Sequence, residues 1–378
     1  MVLFIAGLFD IHKQGATPYT CGEINGVHGF QLMEAFNWAI EYVNDRQGEF
    51  KDMLNGVKLG SLLFDTCSSP VRAGNLVANF HARNFELKTV DYRVNPREVD
   101  VYIGPLRSET AIRVADVLNE LGIPQISYGA SSLELRSQRK YRYFLRTVPA
   151  DDKQARALIS FLKKYEFHNV QLISQFSTVG EHGREEFLRL APLNSICVSA
   201  EYVIGQDGEI SKMEAEEVIS MLPNKPNAKV VVLIMDDPVA LLKAVNNSML
   251  EEFAFIGTDK WGYAIAGYEN LEGLEHIIAD HHFVTLDIET ADYPELDEYL
   301  ESKTPATYTQ NPWFREYFEY IHNCSISTIN PKYPTICRED ALGYSRAEAY
   351  IQDPYALYVI NAVFAASRGI HKTVYDWC

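Results

Sequence analysis

Serines and carboxylates gather where strand-like stretches hand over to helical ones. Gly104 to Glu109 and Ser127 to Ser132 carry serines just ahead of a helix, whereas Gln175 to Glu181 and Gly257 to Trp261 carry the acids Glu181 and Asp259. Backbone N–H groups at the start of a helix, helped by serine hydroxyls, make a cradle for a carboxylate. A cradle for an anion that faces acids suits a small zwitterion, with one end for each charge.

Catalytic chemistry is poorly served by comparison. The sequence holds no Gly-x-Ser-x-Gly elbow, no Walker loop and no His-Glu-x-x-His. Asp280-His281-His282 is the best metal-like cluster, but neighbours on a strand point to opposite faces, so surface histidines are the better reading. Asp236-Asp237-Pro238 falls where a strand meets a helix and reads as an N-terminal cap rather than an acid–base pair. Glu251-Glu252 reads as a solvated turn. The expectation is therefore no enzyme, no metal and no cofactor.

The positioning elements alternate. Strands are expected at Val2 to Phe9, Val57 to Phe64, Val99 to Gly104 and Pro124 to Tyr128. Between them lie helices at Gly29 to Asn44, Arg72 to Phe85 and Ser108 to Leu121, each with apolar residues at helical spacing. After Pro149 the alternation restarts. A helix is expected over Asp151 to Tyr165, acidic at its start and basic at its end, with strands at Asn169 to Gln175, Cys197 to Ile204, Lys229 to Met235 and Phe253 to Gly257. Tyr293 to Lys303, Pro312 to His322 and Pro354 to Gly369 read as helices separated by irregular chain. Tandem βα units imply mainly parallel sheets with helices on both faces, whose ligands bind beyond the carboxyl ends of the strands.

With 378 residues, two domains are expected rather than one. A formal net charge of −17 disfavours nucleic acid and anionic membrane surfaces as partners. The apolar start, Met1 to Phe9, lacks a basic n-region and reads as a buried strand rather than a signal peptide. The six cysteines, Cys21, Cys67, Cys197, Cys324, Cys337 and Cys378, form no Cys-x-x-Cys pair, which leaves buried thiols or a few disulfides as readings. Sequons at Asn246-Asn-Ser248 and Asn323-Cys-Ser325 suit a secreted chain and mark Asn246 and Asn323 as glycosylation candidates.

An ordered set of short segments resembles one family. Cys21-Gly-Glu-Ile24, Lys58-Leu-Gly60, Asp65-Thr-Cys67, Ile103-Gly-Pro105 and Ile123-Pro-Gln-Ile-Ser-Tyr128 belong to it. So do Tyr143-Phe-Leu-Arg-Thr-Val-Pro149, Gly257-Thr-Asp-Lys-Trp261, Asn311-Pro-Trp-Phe314 and Tyr350-Ile-Gln-Asp353. Together they are similar, over almost the whole chain, to the ligand-binding domain of metabotropic glutamate receptors, class C G-protein-coupled receptors. The resemblance implies an α/β fold: a two-lobed, type I periplasmic-binding-protein-like Venus flytrap. Residues 1–145 would begin lobe 1, 146–284 form lobe 2, and 285–378 return to lobe 1. It also implies a cysteine-rich linker and a seven-helix membrane domain in the full-length protein. The location would be the extracellular face of the plasma membrane, with a G protein as partner of the membrane domain.

The same resemblance pairs Cys21 with Cys67 and Cys324 with Cys337, and gives Cys197 and Cys378 partners beyond this chain. A homodimer face would include Gly74, Ala78, Val117 and Glu120. The family's intersubunit cysteine has no counterpart in the Cys-free stretch Lys88 to Val99, which argues against a covalent dimer. Ser108 and Ser131 match hydroxyl residues that hold a ligand's α-carboxylate, with help from the Ser131 backbone N–H, Gly129 is a further ligand-binding position, and Asp151 and Asp259 match acids serving the α-ammonium. From the residues alone, Ser108 and Asp151 read as helix caps and Asp259 as a turn residue.

Departures from the family pattern fall at the side-chain end of the ligand. Val179 stands where the family has an aromatic, Leu32 where it has an arginine, Tyr355 where it has a lysine, and His28 where it has a tyrosine. Losing two charged hydrogen bonds costs about 3–6 kcal/mol, on the order of 10²–10⁴ in affinity. The expected ligand is thus an α-amino acid other than glutamate, with a neutral or aromatic side chain. Two other readings stand beside it: a receptor ectodomain that binds no amino acid and serves as an interaction module, and a free solute-binding protein.

Overall fold

A computed structural model describes residues 1–88, 93–205, 210–235, 238–258, 283–328, 331–337 and 352–377. The chain divides into two compact units. The first comprises Met1–Ala130, Ser137–Val148 and Thr290–Cys378; the second comprises Ser131–Arg136 and Pro149–Glu289.

In the first unit, five parallel strands form one sheet: β1 (Val2–Phe9), β4 (Lys58–Asp65), β7 (Val99–Ile103), β8 (Gln125–Ser127) and β9 (Phe144–Arg146), in the order β4-β1-β7-β8-β9. The register of β1 on β4 runs from Val2 opposite Lys58 to Phe9 opposite Asp65. Helices α2 (Pro70–His81) and α3 (Ser108–Leu121) cover one face, where Phe4, Leu8, Phe64, Phe80, Tyr102 and Val114 share a core. Helix α1 (Gln31–Asn44) packs with the long C-terminal helix Ala356–Trp377, which in turn contacts β7 and β8. Two short hairpins complete the unit, β2 (His12–Gln14) with β3 (Cys21–Ile24) and β5 (Leu87–Lys88) with β6 (Arg93–Val94). Neither was foreseen, because strands of two to four residues leave no periodicity to read.

The second unit repeats the plan. Strands β10 (Asn169–Gln175), β11 (Cys197–Ile204), β12 (Val230–Ile234), β13 (Ala254–Gly257) and β14 (Phe283–Thr285) are all parallel, in the order β11-β10-β12-β13-β14. Helices α4 (Asp151–Lys164) and α5 (Thr178–Leu190) close one core with Leu158, Leu172, Phe187 and Val232. Helices α6 (Lys212–Met221), α7 (Val239–Ala244) and α8 (Asn247–Glu252) lie in sequence between β11 and β13, and the opposite core holds Ile173, Leu222, Val231, Leu241 and Phe255. Every residue of β12 is buried, as a central strand covered on both faces requires.

The expected elements fall close to those observed, with instructive differences. Helix α2 begins at Pro70, capped by the Ser69 hydroxyl accepting from Arg72 N–H, and ends at His81 rather than Phe85. Helix α1 is preceded by a π-helical turn, Gly26–Phe30. Glu251 and Glu252 belong to α8 rather than to a turn, and Glu252 pairs with Lys229. Asp236-Asp237 and Asp280-His281-His282 lie outside the described residues. The later helices are α9 (Pro294–Glu301), α10 (Phe314–His322) and α11 (Ala356–Trp377). Disulfides join Cys21 to Cys67 and Cys324 to Cys337, and Cys197 is an exposed free thiol.

Two buried ionisable groups fasten distant parts of the first unit. Glu34 of α1 is fully buried; its carboxylate accepts from the Tyr308 hydroxyl at 2.9 Å and from the Asn311 amide at 2.5 Å. Burial pushes its pKa up to about 7, with those donors and Lys303 pulling the other way. His12 is held on both ring nitrogens, Nδ1 by Asp65 at 2.5 Å and Nε2 by Glu316 at 3.2 Å. These two carboxylates push it up to about 9.

Both folded pKa values lie above the unfolded ones. For Glu34 the stabilising contribution is therefore full below pH 4.5 and lost as pH rises through 7, on the order of 3 kcal/mol in all. For His12 it is full below pH 6.5 and lost through about 9. Urea unfolding across this range should show Glu34→Gln flattening the acidic-to-neutral part of the profile and His12→Gln flattening the alkaline part. A Glu34→Gln profile parallel to wild type below neutrality would refute the first assignment, and an unchanged alkaline limb in His12→Gln the second.

Candidate functional site

Each sheet has a topological switch point. The order second-first-third-fourth-fifth means that the chain leaves the first strand in one direction and the third in the other, which opens a crevice at their carboxyl ends. In the first unit these are β1 and β7; in the second, β10 and β12.

Asp10 follows β1, and Arg107 closes the loop after β7; Arg107 Nε lies 3.8 Å from Asp10 Oδ2. Asp10 is buried and hydrogen-bonded by the Thr66 hydroxyl. Burial raises its pKa, and Arg107 partly offsets this. Ser108, buried, is the first residue of α3; Arg107 occupies the capping position, so Ser108 is not the N-cap that its place in the sequence suggests. The next loop is locked onto this one. Ser127 Oγ donates to Pro105 O at 2.7 Å and accepts from Ala130 N–H at 2.9 Å, while Gly129 packs on Leu106. A Cβ on Gly129 would lie 2.8 Å from Leu106 O, too close for any other residue. The fold thus brings Ser108 and Gly129 to one edge of the first sheet.

His28 and Tyr355 converge on Asp353, which in the sequence stands only as the last residue of a motif. Its side chain is fully buried. Oδ2 meets His28 Nδ1 at 3.1 Å, Oδ1 accepts from Tyr355 N–H at 2.8 Å, and its own N–H donates to Gln31 Oε1 at 3.0 Å. Leu32 and Tyr355 are both buried, whereas His28 is half-buried on the π-helical turn. Burial raises the pKa of Tyr128, and Asp10 and Asp353 add to it, so these acids and this tyrosine share one neighbourhood.

In the second unit, Ser131 O accepts from Asp151 N–H at 3.0 Å. Asp151, buried, opens α4 behind Ala150 at the capping position, so it too is a first-turn residue rather than the cap. Ser132 Oγ lies 3.2 Å from His182 Nδ1 on α5. Val179, largely buried, sits in the first turn of α5, where Ser177 Oγ caps Gly180 N–H at 3.0 Å. Ser131, Asp151 and Val179 are therefore tied to one edge of this unit by main-chain and capping bonds. Two hydroxyls there, Ser131 Oγ and Thr258 Oγ1, are buried with no hydrogen-bond partner among the described residues. Thr258 directly follows β13. Asp259, the next residue, lies outside the described residues, as do Lys260 and Trp261.

Other sequence-based candidates lie elsewhere. Asn246 and Asn323 are exposed; Asn246 caps α8 through Met249 N–H, and Asn323 adopts the left-handed conformation that ends α10. His12, Asp65, Cys21 and Cys67 place metal-ligating atoms within 4.8 Å of one another. The two sulfurs are bonded to each other, and both imidazole nitrogens face carboxylates.

Two parallel α/β units with equivalent strand orders, each presenting small polar residues at its carboxyl edge, define a two-lobed, type I periplasmic-binding-protein-like ligand-binding protein. Residues 31–374 match the model of the receptor family ligand binding region, and the chain belongs to that family. Membership fits small-molecule binding and an extracellular location, and the two disulfides agree with the latter. Among the described residues, no helix is long and apolar enough to cross a membrane.

Asp353 should prove an organiser rather than a passive core residue. Replacing it with Ala removes the carboxylate that His28 Nδ1 and Tyr355 N–H share and should lower stability by about 1–3 kcal/mol. Asn, which keeps the acceptor for Tyr355, should recover much of this. Equal urea midpoints for wild type and Asp353→Ala would contradict the assignment.

Proposed function

We propose that this chain is the ligand-binding ectodomain of a metabotropic-glutamate-receptor-like class C G-protein-coupled receptor. It binds an α-amino acid other than glutamate and signals by closing one lobe on the other. Ser108, Gly129 and Ser131 hold the α-carboxylate; Asp151 and Asp259 serve the α-ammonium. His28, Leu32 and Tyr355 define the side-chain end, and Val179 supplies an aliphatic contact. A ligand that contacts both lobes favours the closed state by its differential affinity, which is the whole of the signal. The reading carries no enzymatic activity. In it, membrane anchoring and G-protein coupling belong to domains outside this chain, and Asn246 and Asn323 carry glycans.

The observation that carries the proposal is the Ser131 hydroxyl, buried and with no hydrogen-bond partner among the described residues. A buried orphan costs roughly 1–3 kcal/mol, a cost that a carboxylate acceptor removes. Its neighbour Asp151 is anchored to it through the main chain, as paired recognition of a zwitterion needs. The leading alternative, an ectodomain that binds no amino acid, draws on Leu32 and Val179, whose apolar side chains are buried with 0% and 8% exposure. The exposed free Cys197 weighs against a free solute-binding protein.

Calorimetry against a panel of free amino acids decides between them. Wild type should bind at least one neutral or aromatic amino acid and bind glutamate on the order of 10²-fold more weakly or not at all. Ser131→Ala should leave the urea midpoint unchanged or raised, because it deletes an unpartnered hydroxyl, yet weaken binding about tenfold or more. Heat from no amino acid sinks the sensor reading. Binding that survives both Ser131→Ala and Asp151→Asn sinks the site.

A further inference from the structure

The two sequons have opposite surroundings. At Asn246 the acceptor is open: Asn246 and Ser248 are both exposed, and Ser248 Oγ donates to Asn246 Oδ1 at 2.6 Å. Amide and hydroxyl lie together at the surface, as an enzyme that reads both requires. At Asn323 the two are parted. Asn323 is exposed, but Ser325 is 0% exposed and its Oγ donates to Tyr333 O at 2.7 Å.

The backbone of this second sequon is equally committed. Asn323 ends α10 in the left-handed conformation, with φ 49° and ψ 44°. Cys324 N–H donates to Glu319 O at 3.1 Å, so the tripeptide is folded back against the helix rather than extended. Ser325 N–H donates to Thr335 O at 2.7 Å, and Ser325 O accepts from Cys337 N–H at 2.9 Å. Thr335 Oγ1 donates to Asn323 O at 3.3 Å. Tyr333, Thr335 and Cys337 belong to one short segment, and the bond between Cys324 and Cys337 fastens that segment to the middle residue of the sequon. The segment that hides the hydroxyl is thus the one that the disulfide holds in place.

We propose that Asn323 accepts a glycan only while Cys324 and Cys337 are still thiols, so that disulfide closure sets the time allowed for its modification. The proposal rests on the reading of the chain as an ectodomain that passes through the secretory route. In the transfer, Asn323 Nδ2 bonds to the anomeric carbon of a lipid-pyrophosphate-linked oligosaccharide, the bond from that carbon to the pyrophosphate breaks, and the amide loses a proton. In closure, the two thiols give up two electrons and two protons to the disulfide of an oxidising partner, which becomes a dithiol. Once closed, the loop holds Ser325 out of the transferring enzyme's reach. A glycan attached earlier is accommodated, because Asn323 itself stays exposed. Asn246 has no such limit, since both side chains of its sequon stay exposed in the folded unit.

Site occupancy tests this. The intact chain is expressed behind a cleavable leader in animal cells, cell and medium protein are pooled, and each asparagine is read by mass spectrometry after enzymatic deglycosylation in heavy-oxygen water. Wild type should carry a glycan on most Asn246 and on a minor share of Asn323. Cys337→Ala, which keeps the sequon but prevents closure, should raise the Asn323 share severalfold and leave Asn246 unchanged. Cys67→Ala, which opens the other disulfide, should leave Asn323 as in wild type. Where Cys337→Ala fails to fold, dithiothreitol present during synthesis of the wild-type chain supplies the second measurement and should raise Asn323 in the same way. Equal Asn323 occupancy in wild type and Cys337→Ala, whether full or absent, overturns the proposal. An equal rise in Cys67→Ala, or no response to dithiothreitol, also overturns it. The leader sends the chain through the secretory route in every case, so failure of the ectodomain reading shows in amino-acid calorimetry and failure of this proposal in Asn323 occupancy.

Discussion

All ten principal strands run parallel within their sheets, and that constraint governs where anything else in this protein can be placed. A parallel strand must be reached by a crossover, so every loop that follows a strand lies on the same edge of its sheet. The order second-first-third then parts neighbouring crossovers and leaves a crevice between them. Asp10, Arg107, Ser108 and Gly129 share an edge for this reason, although they come from three different loops. The second unit obeys the same rule, with Ser177 and Val179 after β10 and Thr258 after β13. Sequence-distant polar residues thus become neighbours without any one of them having to be conspicuous.

Much of the fold was legible because these strands are buried on both faces and their helices on one. Continuous apolar runs such as Val230-Val-Val-Leu-Ile234 and one-sided patterns such as that of α3 are strong signals, and their bounds lie within a residue or two of those observed. Short edge features left no such trace. The hairpin of His12–Gln14 with Cys21–Ile24 depends on a disulfide and on ionic contacts of His12, whose partners stand 53 and 304 residues away. Helix ends were misjudged where capping chemistry decided them. Ser69 and Pro70 start α2 before its apolar pattern begins.

The site was legible in a different way. Ser108, Ser131 and Asp151 could be singled out because they stand at junctions between elements, yet Ser108 and Asp151 are not the caps that the sequence suggests: Arg107 and Ala150 hold those positions. The correction matters physically. A capping hydroxyl or carboxylate is committed to the helix it starts, whereas a first-turn side chain is not bound to that duty. Asp353 and Glu34 could not have been found this way at all. A single acid carries no local pattern, and the importance of each lies in partners that only the folded chain supplies, Tyr308 and Asn311 for one and His28 and Gln31 for the other.

These buried polar groups differ in how completely they are satisfied. Glu34 and His12 each meet two or more partners and bind together elements far apart in sequence. The hydroxyls of Ser131 and Thr258, by contrast, are buried without a partner among the described residues. Folding selects against such orphans, since each gives up its hydrogen bonds to water and gains none. Two of them at the edge where parallel sheets place their ligands are therefore a local loss of stability with no structural return. Strain and unsatisfied groups of this kind persist where function requires them. In the proposed reading, a ligand oxygen bound there recovers what folding gave up.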